Sequence, residues 1–361
     1  MNTPAELLDH TPAGTARITT PAPRETWWEV CGQDADAHVS QTPAWMDCLC
    51  GTGPYRDASR LYEFEGGSRI VVPLVRRRRR AAWADAEESW PADWGIGGPL
   101  SSGGVGPPEA RAVFEDLARR PALRVGVRFR PEGSDLWEAA APGGFWREHH
   151  MTQTVDLDGG FGTVWERRFR PHVRREVRKA ERSKAEVEVD RTGRLVPEFY
   201  RLYEQSIERW AAQQHEPLAL ARWRRRRAFP RSRLEAVAAR FGESCAIWMA
   251  WSHGEPAAAI VVLGHGSHAR LWRAAMNRDL AHPLRVNPLL QRLAIEDACA
   301  AGYRYYDMGE SRPGSSLASF KAGFGAASRS SPRYVRERLP VSAAQHRLRR
   351  GVKKVLRFQD A

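Results

Sequence analysis

The spacing of apolar and polar positions changes several times along the chain, and each change marks a predicted element. Residues 1–26, rich in Pro, Thr and Ala, hold no period and read as a flexible arm. Order is expected from Trp27. Thr42 followed by Pro43 predicts a helix reaching about Leu49. LYEFE at 61–65 and SRIVVPLV at 68–75, joined by Gly66-Gly67, predict a β-hairpin. A Trp-, Gly- and Pro-rich loop over 90–108 leads to a helix from about Glu109 to Arg119 and a strand LRVGVRF at 123–129.

Between Val164 and about Arg191 the chain is highly charged, and Val173, Val177 and Ala180 recur at helical spacing, so a charged connecting helix is expected. A second series follows. It comprises a helix from Val196 to about Gln213, a basic stretch, a helix Ser232 to Phe241, strands CAIWMAW, PAAAIVVLG and SHARLWRAAM, a helix, and strand YRYYDMG. Asn287 as N-cap, Pro288 at the first helical position and Gly302 past the end frame that last helix, with Leu290, Leu293, Ala294, Ala298 and Ala301 on one face. The fold class is therefore mixed α/β, and the two halves share a coarse order of helices, hairpin strands and helix. The expected division is an arm at 1–26, a first domain at 27–160, the connecting helix at 161–194, a second domain at 195–338 and a basic tail at 339–361.

Composition narrows the partners. The 56 basic residues exceed the acidic ones to give +13 at pH 7, which favours anionic partners. Only five of the 56 are lysines (Lys179, Lys184, Lys321, Lys353, Lys354), a bias that a GC-rich genome would produce. Five cysteines without a C-x-x-C pair indicate neither a disulfide framework nor a zinc site. With no apolar leader and no apolar run of 18 residues, the cytoplasm is the default location and no membrane span is expected.

The basic residues cluster at Arg76–Arg80, at 222–233 with seven arginines and no acid, and in the tail at 333–361 with nine basic and two acidic residues. Trp210, Trp223 and Phe229 lie among or beside them. Arginines on phosphates with aromatic side chains under unpaired bases would suit a single-stranded RNA end, so Arg224, Arg225, Arg226 and Arg227 are nucleic-acid candidates. A solvated, composition-driven surface explains the same runs.

The densest chemistry lies at 303–326, YRYYDMGESRPGSSLASFKAGFGA. Tyr303, Tyr305 and Tyr306 enter a strand, Asp307 to Glu310 turn at its end, and Gly314, Gly323 and Gly325 permit close backbone approach. Lys321 stands alone between Lys184 and Lys353, in a chain that otherwise uses arginine, which suggests a need for a compact ammonium. Asp307 and Glu310 could orient or deprotonate an incoming amine, or simply cap the strand. Ser311, Ser315 and Ser316 read as turn residues, because no nucleophile elbow surrounds them.

Three segments resemble the FemAB-like branch of the GNAT acyltransferase superfamily: SQTPAWMDCL at 40–49, HVRREVRKAER at 172–182 and, most specifically, the run 303–326 with its F-K-x-x-F-G ending. The resemblance spans about residues 27–338. It implies two tandem GNAT-like domains, each a mixed, mostly antiparallel sheet flanked by helices, and direct acyl transfer to an amine or hydroxyl. It carries Phe320 and Lys321 onto positions near the donor end, the lysine stabilising charge on the reacting carbonyl. Tyr305, Arg273, Arg312 and Phe324 are candidate substrate contacts alongside Phe320. CoA-using relatives carry a glycine-rich pyrophosphate loop, whereas the corresponding stretch here, Arg278 to Asn287, has no glycine. That departure points to aminoacyl-tRNA as donor, with acyl-CoA or a carrier thioester as the alternative and a non-catalytic RNA-binding protein as a further one. Arg285 and Asn287 remain candidates to meet a donor phosphate. An already activated ester requires neither metal nor ATP, so no cofactor is expected. The acceptor is an amine or hydroxyl of a cell-wall precursor or a small natural product.

Overall fold

A computed structural model describes residues 5–11, 14–77, 85–91, 94–183 and 185–340. Arg78–Arg80 and residues 341–361 of the basic tail lie outside them.

The centre is a seven-stranded sheet in the order Glu186–Asp190, Cys245–Ser252, Glu255–His265, His268–Met276, Tyr305–Glu310, Met151–Asp156, Ala327–Ser330. Its neighbours are antiparallel except for the parallel pair His268–Met276 and Tyr305–Glu310. Both faces are covered, which explains why PAAAIVVLG reads as a continuous apolar run and not as an alternation. Cys245, Ile247, Met249, Ala259, Val261 and Leu263 face helices Val196–Gln213 and Arg231–Phe241. The intervening Ala246, Trp248, Ala258, Ile260 and Val262 face helices Pro171–Glu181 and Val286–Ala300.

Two further sheets belong mainly to the first half. One, of six strands, runs Trp146–Glu148, Arg333–Glu337, Arg124–Arg128, Ala86–Glu88, Val75–Arg77, Tyr55–Asp57. The other, of five, runs Ala5–Thr11, Gly14–Thr20, Arg60–Phe64, Arg69–Val72, Leu100–Ser101. Phe114, Phe129, Trp137 and Tyr334 form an aromatic core between them and helix Pro107–Arg119.

The halves exchange strands. Met151–Asp156, which comes before the charged segment, lies inside the seven-stranded sheet between two strands of the second half. Arg333–Glu337, at the far end of the described chain, sits between Trp146–Glu148 and Arg124–Arg128. The halves also share a core, in which Trp45 of helix Pro43–Thr52 packs 5.1 Å from Trp272 and 5.2 Å from Trp94.

Several sequence expectations need correction. The arm supplies strands Ala5–Thr11 and Gly14–Thr20, which pair with each other and, through the latter, with Arg60–Phe64. The charged segment is not one helix. A π-helical turn Val164–Arg168 precedes Pro171–Glu181, and Glu186–Asp190 is a strand. The alternation E-V-E-V-D at 186–190 has the period of a strand, and the helical period over 173–180 ends before it. The basic stretch is itself largely a helix, Leu218–Ala228. Asn287 is not the N-cap of its helix, since Val286–Ala300 begins one residue earlier behind Arg285, which adopts φ 57°. The N-cap side chain in this region is that of Asn277, which accepts from the Asp279 amide at the start of Arg278–Leu284.

Candidate active site

Strand Tyr305–Glu310 ends in an irregular pairing with Met151–Asp156. Thr152 opposes Glu310 while Thr154 opposes Asp307, so the edge of Met308 and Gly309 carries one residue too many. This is a β-bulge, and Gly309 takes the positive φ, 75°, that such a bulge asks of a glycine. Asp307 Oδ1 accepts the Gly309 amide at 2.7 Å and fixes the kink. A bulge disturbs the ladder and re-aims the backbone, and here the carbonyls of Gly309 and Glu310 both accept from Lys321 Nζ, at 3.0 and 2.7 Å.

Lys321 reaches them from helix Ser316–Gly323, whose start is capped by Ser315 Oγ accepting the Ala318 amide. The helix is held in place from behind by the glycines of the sequence motif. Gly325 has φ 81°, and a Cβ there would sit 2.8 Å from the Arg168 carbonyl oxygen, so only glycine lets the chain pass. The lysine is buried, and burial pushes its ammonium down to about 8, against the pull of Asp307 and Glu310 in the other direction. An ammonium carries three donors. Two are used on the bulge carbonyls, which fixes its position and leaves one.

Asp307 is buried and accepts from three donors: Thr152 Oγ1 at 2.6 Å, Arg270 Nη1 at 2.6 Å, and the Gly309 amide. Burial alone would raise its pKa, but the Arg270 guanidinium and these hydrogen bonds hold it below the usual carboxylate range. So saturated a carboxylate is a poor proton acceptor and serves to position the bulge. Glu310 is half-exposed. It accepts from Arg128 Nη1 and lies 3.1 Å from His150 Nδ1. Burial works against its ionisation, but His150 and Arg128 prevail and bring it to about 2. In return Glu148 and Glu310 raise His150 to about 8. Among the groups gathered here, His150 and Lys321 therefore titrate closest to neutrality, which is where a group must titrate to move protons efficiently.

Lys321, Asp307 and Glu310 thus come together at one strand end, Phe320 packs with its ring centroid 5.1 Å from that of Phe324, and Arg312 is exposed on the turn that follows. The other expected residues have different surroundings. Phe324 is wholly buried against Phe169 and belongs to the core. Tyr305 stacks on His268, its ring centroid 5.1 Å away, with Arg329 over its ring. Arg273 lies over Phe229 and Trp272. Asn287 Nδ2 contacts Met276 Sδ, and Arg285 Nη1 is 3.7 Å from Glu176. In the basic helix, Arg224 is bidentate on Glu216 and Arg226 bidentate on Glu204, so two of the four expected phosphate contacts already hold carboxylates. Arg225 and Arg227 lie over Trp210 and Trp223.

Sequence reasoning missed Arg128, His150, Thr152 and Arg270. The pair His149-His150 directly before the alternating strand MTQTVD was a usable signal. Arg128 and Arg270 were indistinguishable from the many other arginines.

Residues 167–321 match the family model described as an acetyltransferase (GNAT) domain. No curated protein sequence matches the chain. Solved structures do, at low identity. FemX aligns with a TM-score of 0.64 at 12% identity, covering 90% of this chain and 98% of its own. L-PGS from Bacillus licheniformis aligns at 0.53 and 15%, covering 89% and 95%. The C-terminal domain of a putative lysylphosphatidylglycerol synthetase from Agrobacterium fabrum aligns at 0.52 and 14%, covering 91% and 95%. Strand Tyr305–Glu310 with its bulged residues, and Lys321, fall within the residues matched by the family model.

Proposed function

We propose, from the premise that residues 167–321 are an acetyltransferase domain of the GNAT superfamily set in a FemX-like fold, that this chain transfers an aminoacyl group from aminoacyl-tRNA to an amine or hydroxyl acceptor. The observation that carries acyl transfer is the buried Lys321 ammonium, held by two backbone carbonyls at a bulged strand end. Attack of an amine lone pair on an ester carbonyl forms the new C–N bond and a tetrahedral oxyanion. Collapse of that oxyanion breaks the bond to the ribose oxygen, which takes up the proton released by the amine. A cation whose position is already fixed stabilises the oxyanion as its charge develops, an effect of about 3 kcal/mol for one such donor. His150, paired with Glu310 and half-exposed, is the group suited to pass the proton.

For the donor, support comes from two sides. Residues Arg278–Leu284 are a helix without glycine where CoA-using relatives have a pyrophosphate loop. A structural neighbour is also named for lysylphosphatidylglycerol, an aminoacyl ester. One observation favours acyl-CoA instead, namely the prior pairing of Arg224 and Arg226 with carboxylates. Purified chain incubated with labelled aminoacyl-tRNAs, acyl-CoAs and candidate amines separates the two. Transfer from aminoacyl-tRNA that is lost on RNase treatment is expected, and turnover of acyl-CoA by RNase-treated protein would replace this reading.

A further inference from the structure

Beside Tyr305, the first residue of strand Tyr305–Glu310, three side chains distant in sequence meet. They are His38, just before the short turn Val39–Gln41, Glu132, in the loop after strand Arg124–Arg128, and His268, the first residue of strand His268–Met276. One ligand atom from each lies within 4.8 Å of the others. The two imidazoles are almost completely buried, with ring centroids 4.0 Å apart. Among the described residues, none of their four ring nitrogens has a hydrogen-bond partner, and neither does Glu132 Oε2. Buried polar atoms without hydrogen bonds are costly, and here the His38 Nε2 to Glu132 Oε2 approach, at 3.8 Å, is too long for one.

We infer that His38, Glu132 and His268 form a binding site for one divalent transition-metal ion of the Zn²⁺ class, which ties the two halves of the molecule together. Two imidazoles and one carboxylate are an established zinc donor set that leaves a fourth position for water. His38 Nε2 and Glu132 Oε2 are 3.8 Å apart, a separation that two ligands about 2 Å from a shared ion can span. The carboxylate is also oriented from outside the cluster. Arg329 Nη1 donates to Glu132 Oε1 at 3.1 Å and leaves Oε2 on the histidine side.

The surroundings say what the ion would do. His38 and Glu132 belong to the first half and His268 to the second. Next to it, Ser267 Oγ donates to the Ala35 carbonyl at 2.9 Å, and Gly266 comes so close that a Cβ would be 3.1 Å from the Ala37 oxygen. An ion bound there would join a contact the backbone already makes. The acyl-transfer chemistry proposed above needs no metal, so this inference stands independently of it.

The test uses the full chain, stripped with chelator and titrated with Zn²⁺, and with Co²⁺ as a spectroscopic probe. One ion per chain with a dissociation constant below micromolar is expected, together with a visible Co²⁺ band of tetrahedral intensity and a higher melting temperature. Glu132→Gln should weaken binding 10- to 100-fold, and H38Q/H268Q should abolish the band. Wild type that binds no more Zn²⁺ than the double variant, with both melting cooperatively, would overturn the inference. So would a Co²⁺ band unchanged in Glu132→Gln. Should the double variant fail to fold, Glu132→Gln, altered at the least buried of the three ligands, decides alone.

Discussion

At the scale of single residues, Lys321 and Asp307 are both buried and both charged, yet they should fail differently. Lys321→Ala is expected to lower kcat by about 10² or more, since its interaction strengthens only as the oxyanion forms. Lys321→Arg should rescue poorly, because the planar guanidinium cannot reproduce a compact donor gripped by two carbonyls. Steady-state kinetics beside a melting curve checks this. An Ala variant that melts early but turns over normally would make the lysine purely structural. The cation exists below its pKa of about 8, so the wild-type rate should fall as pH rises through that value. Asp307→Asn removes the charge facing Arg270 in a buried pair, and breaking such pairs costs about 3–5 kcal/mol, so this variant should show its loss in chemical denaturation. His150 and Glu310 add a pH signature. The raised histidine stabilises below about 6.5 and loses that contribution as pH rises through 8, while the depressed glutamate contributes above about 4.5 and loses it as pH falls toward 2. The difference in melting temperature between wild type and Glu310→Gln should therefore be largest between these limits, and modest, because both groups are partly solvated.

At the scale of elements, the basic helix Leu218–Ala228 separates charge content from available charge. Glu204 and Glu216 occupy two of its arginines, so Glu204→Gln with Glu216→Gln should strengthen donor binding and steepen its salt dependence if this helix meets RNA phosphates. Replacing Arg224 to Arg227 by Ala should do the reverse. Filter binding across a salt series checks both, and an unchanged slope in both variants would assign the helix to ordinary surface. The same helix marks the limit of what the sequence makes legible. Its neighbours Val196–Gln213 and Arg231–Phe241 carry apolar faces and are readable to within a residue or so. Leu218–Ala228 buries Ala221 and leaves Leu218, Leu220 and Trp223 exposed, so it has little apolar period to read. At the site, the lone lysine and the glycines were legible because each is chemically unusual in this chain. Arg128 and Arg270 were not, since their role depends on which carboxylate they face, and strand pairing over more than thirty residues decides that.

At the scale of the whole molecule, the exchanged strands make the halves interdependent. Arg333–Glu337 is interior to the six-stranded sheet, so a chain ending at Ala326 would leave the edges of Arg124–Arg128 and Trp146–Glu148 unpaired and Tyr334 missing from the aromatic core. That truncation should yield insoluble protein, or a first half without a cooperative melt, although it removes nothing between residues 27 and 160. Expression and circular dichroism of the truncated chain check this. A soluble, cooperatively melting product would show that the halves fold alone. Among the described residues no helix is long and apolar enough to cross a membrane.

The position of Arg333–Glu337 also bears on how the protein is made. A chain emerging from the ribosome from its first residue onward presents strands 124–128 and 146–148 roughly two hundred residues before the strand that belongs between them. During that interval the nascent first half carries two unsatisfied edges beside an aromatic cluster, a combination prone to association with other chains. Closing so distant a pairing is slow, because the loop entropy must be overcome before the contact forms. Production of this protein should accordingly depend on what shields the unfinished first half until translation reaches residue 337.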